Sequence, residues 1–324
     1  MGSGHRSAPE ASEPWAKQGL VFAADGRFDW MAHHASVPAP WLTPDGRLRV
    51  YFGARSADQA TRPGFVDTDP ADPSRVTYVH DRPVMDLGEL GTFDDCGVMP
   101  CCVVEDGGAL LLYYTGWTRQ VRVPYRNAVG LAVSTDGGLT FERASLAPVL
   151  DRGPLEPHFV ITPCVLRDEG AWRMWYGSVR GWVVHDDHPE PVYDIRHARS
   201  ADGRAWVPDG VALLPQAHPG EALGRPWVVR DRDRWRMWFS HRASAGYRTD
   251  PAASYRIGYA ESADGETWER HDAGAGIDVS DSGWDAEMVE YGSVYDHDGT
   301  RHLLYNGNGF GASGFGHASR PAPG

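Results

Sequence analysis

Lysine is almost missing from this chain: Lys17 is the only one, so nearly all of the 31 basic residues are arginine. That bias is the mark of a GC-rich genome and points to an actinobacterial source. Acidic residues number 44 and the formal charge is −13, which excludes the basic footprint that nucleic-acid binding requires. Cysteine is scarce as well: four in 324 residues do not make a disulfide framework. No apolar run approaches the roughly 18 residues of a membrane span. The first 14 residues, MGSGHRSAPEASEP, are small and polar and lack the apolar core of a signal peptide, so a soluble cytoplasmic protein is expected. No long segment carries an apolar period of about 3.6, and Pro or Gly interrupts nearly every window, which argues against a helical fold.

What remains is turns and aromatics. Gly (38) and Pro (24) supply the turns, and 13 Trp with 13 Tyr supply residues that favour short strands. One segment type recurs: x-Pro-apolar-apolar, a polar turn, then an apolar-aromatic run. It reads Ala39-Pro40-Trp41-Leu42 before Val50-Tyr51-Phe52, and Met99-Pro100-Cys101-Cys102 before Leu112-Tyr113-Tyr114. It recurs as Thr162-Pro163-Cys164-Val165 before Met174-Trp175-Tyr176, and as Arg225-Pro226-Trp227-Val228 before Met237-Trp238-Phe239. A fifth copy, Tyr291-Gly292-Ser293-Val294, precedes Leu303-Leu304-Tyr305. Each copy predicts a hairpin. A third strand follows, then a Ser-x-Asp-Gly turn and an aromatic (Ser134 to Phe141, Ser200 to Trp206, Ser262 to Trp268) that opens a fourth strand.

Five four-stranded units spaced by about 60 residues predict an all-β, five-bladed β-propeller. The last unit lacks its fourth strand, so Trp15 to Phe22 is expected to supply it and close the ring, removing an exposed edge. The expected organisation is a disordered tail over 1–14, one propeller domain over 15–319 and a short tail over 320–324. The regularly placed Trp and Tyr residues read as core between units, and Cys101 and Cys164, at equivalent positions, read as small apolar packing.

In a propeller the innermost strands line a central pocket, and the residues before each x-Pro element face its mouth. The register names His33, His34 and Ser36; Asp94, Asp95 and Cys96; Glu156, His158 and Thr162; Glu221 and Arg225; Asp285, Glu287 and Glu290. Converging carboxylates and imidazoles with divergent pKa values suit acid–base chemistry. Each also has a structural alternative: Asp94 and Asp95 could cap a turn, His158 could belong to a loop, Arg225 could bridge blades. Of the adjacent His33 and His34, only one can face the pocket from an extended strand. One of them with His158 and a fifth-blade Glu would form a His/carboxylate set for a divalent ion, but no clustered spacing supports it and no cofactor is expected. Trp117, Tyr125 and Arg126, on the loop side of the second unit, are candidates to stack on or clamp a ligand, as is the insertion Gly181–Tyr193.

The runs DLGELGTFDDCGVMPCCVV (86–104), VPYRNAVGLAVSTDGG (123–138), FVITPCVL (159–166), SYRIGYAESADGETWER (254–270) and GWDAEMVEYGSVYDHDGTRHLLYNGNGFGASGFGHA (283–318) resemble the five-bladed propeller glycoside hydrolases of the arabinanase and invertase type. The resemblance is closest to a bacterial glycosidase-like branch and spans nearly the whole chain after about residue 30. It implies a small sugar-like substrate and carboxylate catalysis. In those hydrolases an Asp directly precedes Pro in the first two blades. Here the pre-Pro residues are Ala39, Met99, Thr162 and Arg225, so the hydrolytic set does not carry over. Asp95 and Glu287 become the leading catalytic candidates, with Asp94, Glu290, His33 and His34 beside them. His158, Arg225, Arg126, Tyr125, Trp117 and Glu156 are the substrate-binding candidates. The expectation is a glycoside-processing enzyme working in an acidic pocket unsuited to polyanions. The alternatives are a lyase, isomerase or cyclase of natural-product biosynthesis using His/carboxylate acid–base chemistry, or a non-catalytic carbohydrate-binding propeller.

Overall fold

The computed structural model describes residues 13–323, so the expected tail over 1–14 lies almost wholly outside the described residues. The first strand, β1 (Ala16–Phe22), stands apart from its sequence neighbours. Then come four meanders: β2 (His33–Leu42), β3 (Leu48–Arg55), β4 (Thr61–Thr68) and β5 (Val76–Val79); β6 (Gly97–Asp106), β7 (Ala109–Arg119), β8 (Tyr125–Ser134) and β9 (Glu142–Arg143); β10 (Val160–Asp168), β11 (Ala171–His185), β12 (His188–Ser200) and β13 (Val207–Pro208); β14 (Ala222–Arg230), β15 (Trp235–Arg242), β16 (Arg256–Ser262) and β17 (Glu269–Arg270). The last is β18 (Glu290–His297), β19 (Thr300–Asn306) and β20 (Phe315–Pro321), on whose free edge β1 pairs antiparallel. Because β20 runs to Pro321, the expected tail from 320 starts two residues later. A single parallel bridge, Thr61 to Gly97, merges the first two meanders into one eight-stranded sheet. Helix is confined, among the described residues, to one 3-10 turn at Asp272–Ala275, and no helix there is long and apolar enough to cross a membrane.

The turns form for the reasons the sequence offers. Glu169 with Gly170, and Asp298 with Gly299, have paired positive φ (48° and 85°, 46° and 75°), the backbone twist that two-residue hairpins need. In each Ser-x-Asp-Gly turn the Asp carboxylate collects backbone N–H groups. Asp202 accepts from Arg204 and Ala205 at 2.8 and 2.9 Å, and Asp264 from Glu266 and Thr267 at 2.8 Å each. The turn glycine then presents its carbonyl to the preceding unit. Tyr51 donates to Gly138, Tyr113 to Gly203, and the Trp175 indole to Gly265, at 2.9, 2.7 and 3.1 Å. So the aromatics of the second strands do pack between units, as expected, and these three each carry one polar stitch, whereas the buried indole N–H of Trp238 in the fourth unit has no partner among the described residues.

The first strands pack on one another in cyclic order: β2 on β6, β6 on β10, β10 on β14, β14 on β18, and β18 on β2. A register shift interrupts each of them. In four the bulged residue has positive φ: Val37 (57°), Thr162 (49°), Arg225 (49°) and Tyr291 (54°). For β-branched Val and Thr this is true backbone strain. A side chain of the neighbouring unit holds each bulge by its N–H. Thr115 accepts from Thr162 (2.8 Å), Thr162 from Arg225 (3.1 Å), Ser240 from Tyr291 (2.9 Å) and Asn306 from Val37 (2.8 Å). Thr115, Ser240 and Asn306 directly follow the aromatic run of their second strands. The third unit has Gly177 at that place, and there the Thr162 hydroxyl does the job instead. The buried thiols stitch too: Cys102 Sγ accepts from Val165 N–H and Cys164 Sγ from Val228 N–H, both at 3.3 Å. This belt of bulges surrounds the central cavity.

Candidate functional site

The cavity has a volume of about 350 Å³ and takes wall residues from every unit. Its belt contributes Ser36, Met99, Thr162, Arg225 and Tyr291. The outer ends of second and third strands add Arg55, Thr115, Trp117, Tyr125, Asn127, Tyr193 and Ser240. The segment between β15 and β16 brings Tyr247, Arg248 and Tyr255, and Phe310 comes from the segment between β19 and β20. Trp117 can lie flat here because β6 opens with Gly97: a Cβ there would stand 1.8 Å from the indole nitrogen.

Of the substrate-binding candidates, Arg225, Tyr125 and Trp117 reach this wall. Arg126 points to Asp151 instead and pairs with it. His158 is half-buried and does not line the cavity, and neither does the His pair. His33 and His34 turn to each other, Nδ1 to Nδ1 at 2.6 Å, and Gln59 meets His33 Nε2 at 3.1 Å. Burial first, then the charge of Arg55, lowers His34 to about 3, so its ring is neutral. Among the described residues no three His, Cys, Asp or Glu side chains are grouped to hold a metal ion, so the set of His33 or His34, His158 and a fifth-unit Glu does not assemble.

The acids have a different place from the one expected. Asp94 accepts from the Tyr114 hydroxyl (3.0 Å) and pairs with Arg143 (2.7 Å). Glu156 accepts from the Tyr176 hydroxyl (2.7 Å), from Ser178 and from Arg196 (3.2 Å). Asp285 accepts from the Tyr305 hydroxyl (2.9 Å) and pairs with Lys17 (2.7 Å). Glu221 lacks a tyrosine, since Phe239 stands there, and takes Arg270 through both oxygens at 2.7 Å each, with His241 at 3.0 Å. In three units the tyrosine follows the acid by 20 residues. These acids lock the start of a unit to its second strand and to an outer cation, and they do not line the cavity. Asp95 is half-buried, with one oxygen accepting from Gly91 N–H (3.0 Å) and the other unpartnered. Glu287 is exposed. The wall is therefore aromatic and basic, which reverses the expected acidic pocket.

One acid breaks the pattern. Glu290 is wholly buried, with no hydrogen-bond partner in normal geometry for either carboxyl oxygen among the described residues. Burial pushes its carboxyl well above the usual carboxylate range; the Tyr291 hydroxyl and the charges of Arg242, Arg55 and Arg248 oppose that rise without cancelling it. Tyr291, next in sequence, faces the cavity and is itself raised by burial and by Glu290. Sequence reasoning missed Arg55, Arg248, Tyr247, Tyr255 and Tyr291, which sit at strand ends and in one connection without a local motif. The signal available was negative: Tyr291 and Glu290 depart from what the other units carry.

No family model matches this chain. Among solved structures its fold matches a glycoside hydrolase (TM-score 0.74, 16% identity, 97% of this chain and 93% of that one). It also matches a structure described under the GH130 family of mannoside phosphorylases, which contains glycoside hydrolases that target β-1,2 mannosidic linkages in Candida mannan (TM-score 0.72, 15% identity, 98% and 97%). A third match is an exo-1,5-α-L-arabinanase from a bovine ruminal metagenomic library (TM-score 0.61, 16% identity, 91% and 95%). The fold is thus a β-propeller of the kind found in glycoside hydrolases. In sequence, the chain is 40% identical over 304 residues to the uncharacterized protein Rv1502 of Mycobacterium tuberculosis, covering 93% of this chain and 97% of that one, and it belongs to the same family.

Proposed function

We propose that this protein is a glycoside-processing enzyme, glycosidase-like in type, that takes a small sugar into the central cavity. We read the five meanders as the blades of one closed five-bladed propeller, with β1 as the outer strand of the last blade. The cyclic packing of the first strands and the pairing of β1 with β20 support that reading. The observation that carries the function is Glu290: an acid wholly out of water, both oxygens unpartnered, directly behind the cavity residue Tyr291. A carboxyl raised in this way keeps its proton above the ordinary carboxylate range and can give it up in a transition state, which is what departure of a glycosidic leaving group needs. Tyr291 is the group that touches the sugar, and Glu290 supplies or receives its proton. Aromatic faces of Trp117, Tyr125 and Tyr255 bind the ring. Asp95 and Glu287, the leading catalytic candidates from sequence, do not line the cavity and have no part in this reading.

The test is turnover of a panel of aryl and natural glycosides by the wild type, Glu290→Gln, and the double variant Asp95→Asn, Glu287→Gln. Glu290→Gln should lower kcat by about 100-fold or more. The double variant should stay within about threefold of wild type. Loss confined to the double variant overturns the assignment of Glu290. One observation favours a second reading: among the described residues no carboxylate lines the cavity, whereas hydrolysis ordinarily uses two. Failure of folded wild-type protein to turn over any glycoside would move the weight to a non-hydrolytic lyase, isomerase or cyclase, or to sugar binding alone.

A further inference from the structure

The charges around the cavity do not balance. Arg225 is buried at 1% exposure, and its guanidinium donates to the carbonyls of Cys101 (3.0 Å) and Pro38 (3.2 Å), both neutral acceptors. Its Nε has no partner. Arg242, 2% exposed, donates to the Tyr255 hydroxyl (3.0 Å) and to the carbonyls of Ala243 (2.7 Å) and Pro191 (2.8 Å), again all neutral. Arg55 lies in the wall with a buried, unpartnered Nε and makes no ion pair. Among the described residues, then, three guanidinium groups in or just behind the wall have no carboxylate within ion-pairing distance. Only Arg248 has one, Glu190, at 2.7 Å. Arg242 and Arg248 both pack over the Tyr247 ring, with their guanidinium carbons 3.7 and 4.7 Å from its centre.

Elsewhere the chain treats arginine differently. Arg49, Arg143, Arg270 and Arg301 each meet a carboxylate, in a protein whose formal charge is −13. Unpaired buried charge costs several kcal/mol. Arg320, buried at the seam with β1 and donating only to the Glu13 carbonyl, is a lone exception; around the cavity a fold with acids to spare leaves such charge as a group, where a ligand can complete it. Glu290 cannot neutralise three guanidinium groups even when ionised.

We infer that the cavity takes an anionic sugar, one bearing a carboxylate or a phosphate, with Arg55 as the principal contact and Arg225 and Arg248 flanking it. This rests on reading the cavity as a sugar site and adds the substrate's charge. Guanidinium groups suit both anions, because their donor forks match paired oxygens. A cavity of about 350 Å³ is at the small end for ligand sites and fits a short glycoside.

Calorimetric titration of the full chain with sodium glucuronate, glucose 1-phosphate and glucose tests this. At least one anion should bind at least about tenfold more tightly than glucose. The tighter of the two identifies the charged group. Arg55→Gln should weaken that anion by about tenfold or more and leave any glucose binding within about twofold, with Arg55→Lys between. Should Arg55→Gln fail to fold, salt keeps the test alive: affinity of the wild type for the anion should fall between about 0.05 and 0.5 M NaCl. Binding of neither anion, or equal binding of glucose, overturns the proposal; so does unchanged affinity in folded Arg55→Gln, or salt-independent binding. The enzyme reading fails separately. Anion binding that depends on Arg55 without turnover of any glycoside leaves this site standing and removes the catalysis. Turnover of neutral glycosides indifferent to Arg55→Gln does the reverse.

Discussion

At the scale of single residues, two buried titratable groups carry opposite pH signatures. Glu290 is raised by burial, so folding is favoured while it stays protonated and loses stability as pH climbs above the ordinary carboxylate range. Glu290→Gln removes that cost. Its Tm should exceed that of wild type at pH 8, by an amount that shrinks toward zero near about pH 3, where the acid is protonated in both states. A melting series in which Glu290→Gln is less stable at every pH would show that the carboxyl is not strained. His317 behaves in the other sense. Burial, then the neighbouring His302 2.9 Å away, lowers it to about 4. An unfolded histidine titrates near 6.5, so acid protonates the unfolded chain first, and stability falls between about pH 6.5 and 4 before levelling. The share due to His317 is about 3 kcal/mol. His317→Gln should therefore show a shallower decline of Tm across that window, whatever its absolute Tm.

Among the elements, the recurring acid-tyrosine-cation lock explains what could and could not be read beforehand. Asp94 with Tyr114, Glu156 with Tyr176 and Asp285 with Tyr305 share one spacing of 20 residues. Recurrence at a fixed place is the mark of a structural task, because every unit must solve the same closure problem. The register located these acids at the start of each unit but read them as facing the pocket; their shared place in the repeat fits a lock instead. Residues that break the repeat carry the cavity: Arg225 where the third unit has Thr162, Tyr291 where Pro-containing runs have none, Arg55 at a strand end. No spacing rule reveals those, because their neighbours come from distant units. The lock predicts that Tyr114→Phe, Tyr176→Phe and Tyr305→Phe each cost about 1–2 kcal/mol in denaturant unfolding, since each deprives a buried carboxylate of a donor. Asn306→Ala should cost more, about 3 kcal/mol, because Asn306 accepts from Val37 N–H and donates to the carbonyls of Ala35 and Gly314 at 2.7 and 2.8 Å. A loss below about 0.5 kcal/mol for Asn306→Ala would mean that the belt of bulges does not depend on that stitch.

For the whole molecule, the hairpins, the Ser-x-Asp-Gly turns and the pairing of the N-terminal strand with the C-terminal one were legible in sequence, because local turn chemistry and a period of about 60 residues specify them. The cavity's charge was not, because it is a sum over parts that no window contains. Removing residues 1–22 should expose the edge of β20 and leave Asp285 without Lys17; we expect a broadened, lower melting transition and self-association in size-exclusion chromatography. A truncated chain that stays monomeric with an unchanged Tm would refute β1 as a structural strand. Lys17 has one more consequence. As the chain's only side-chain amine, sitting 2.7 Å from Asp285 where the two ends of the chain meet, it is a natural chemical clock. An amine-selective acylating reagent can modify a single side chain in this protein, and it does so freely only when that seam comes apart. The rate of labelling at this one position, read by mass spectrometry after proteolysis, therefore counts how often the two ends let go of each other without any change to the sequence.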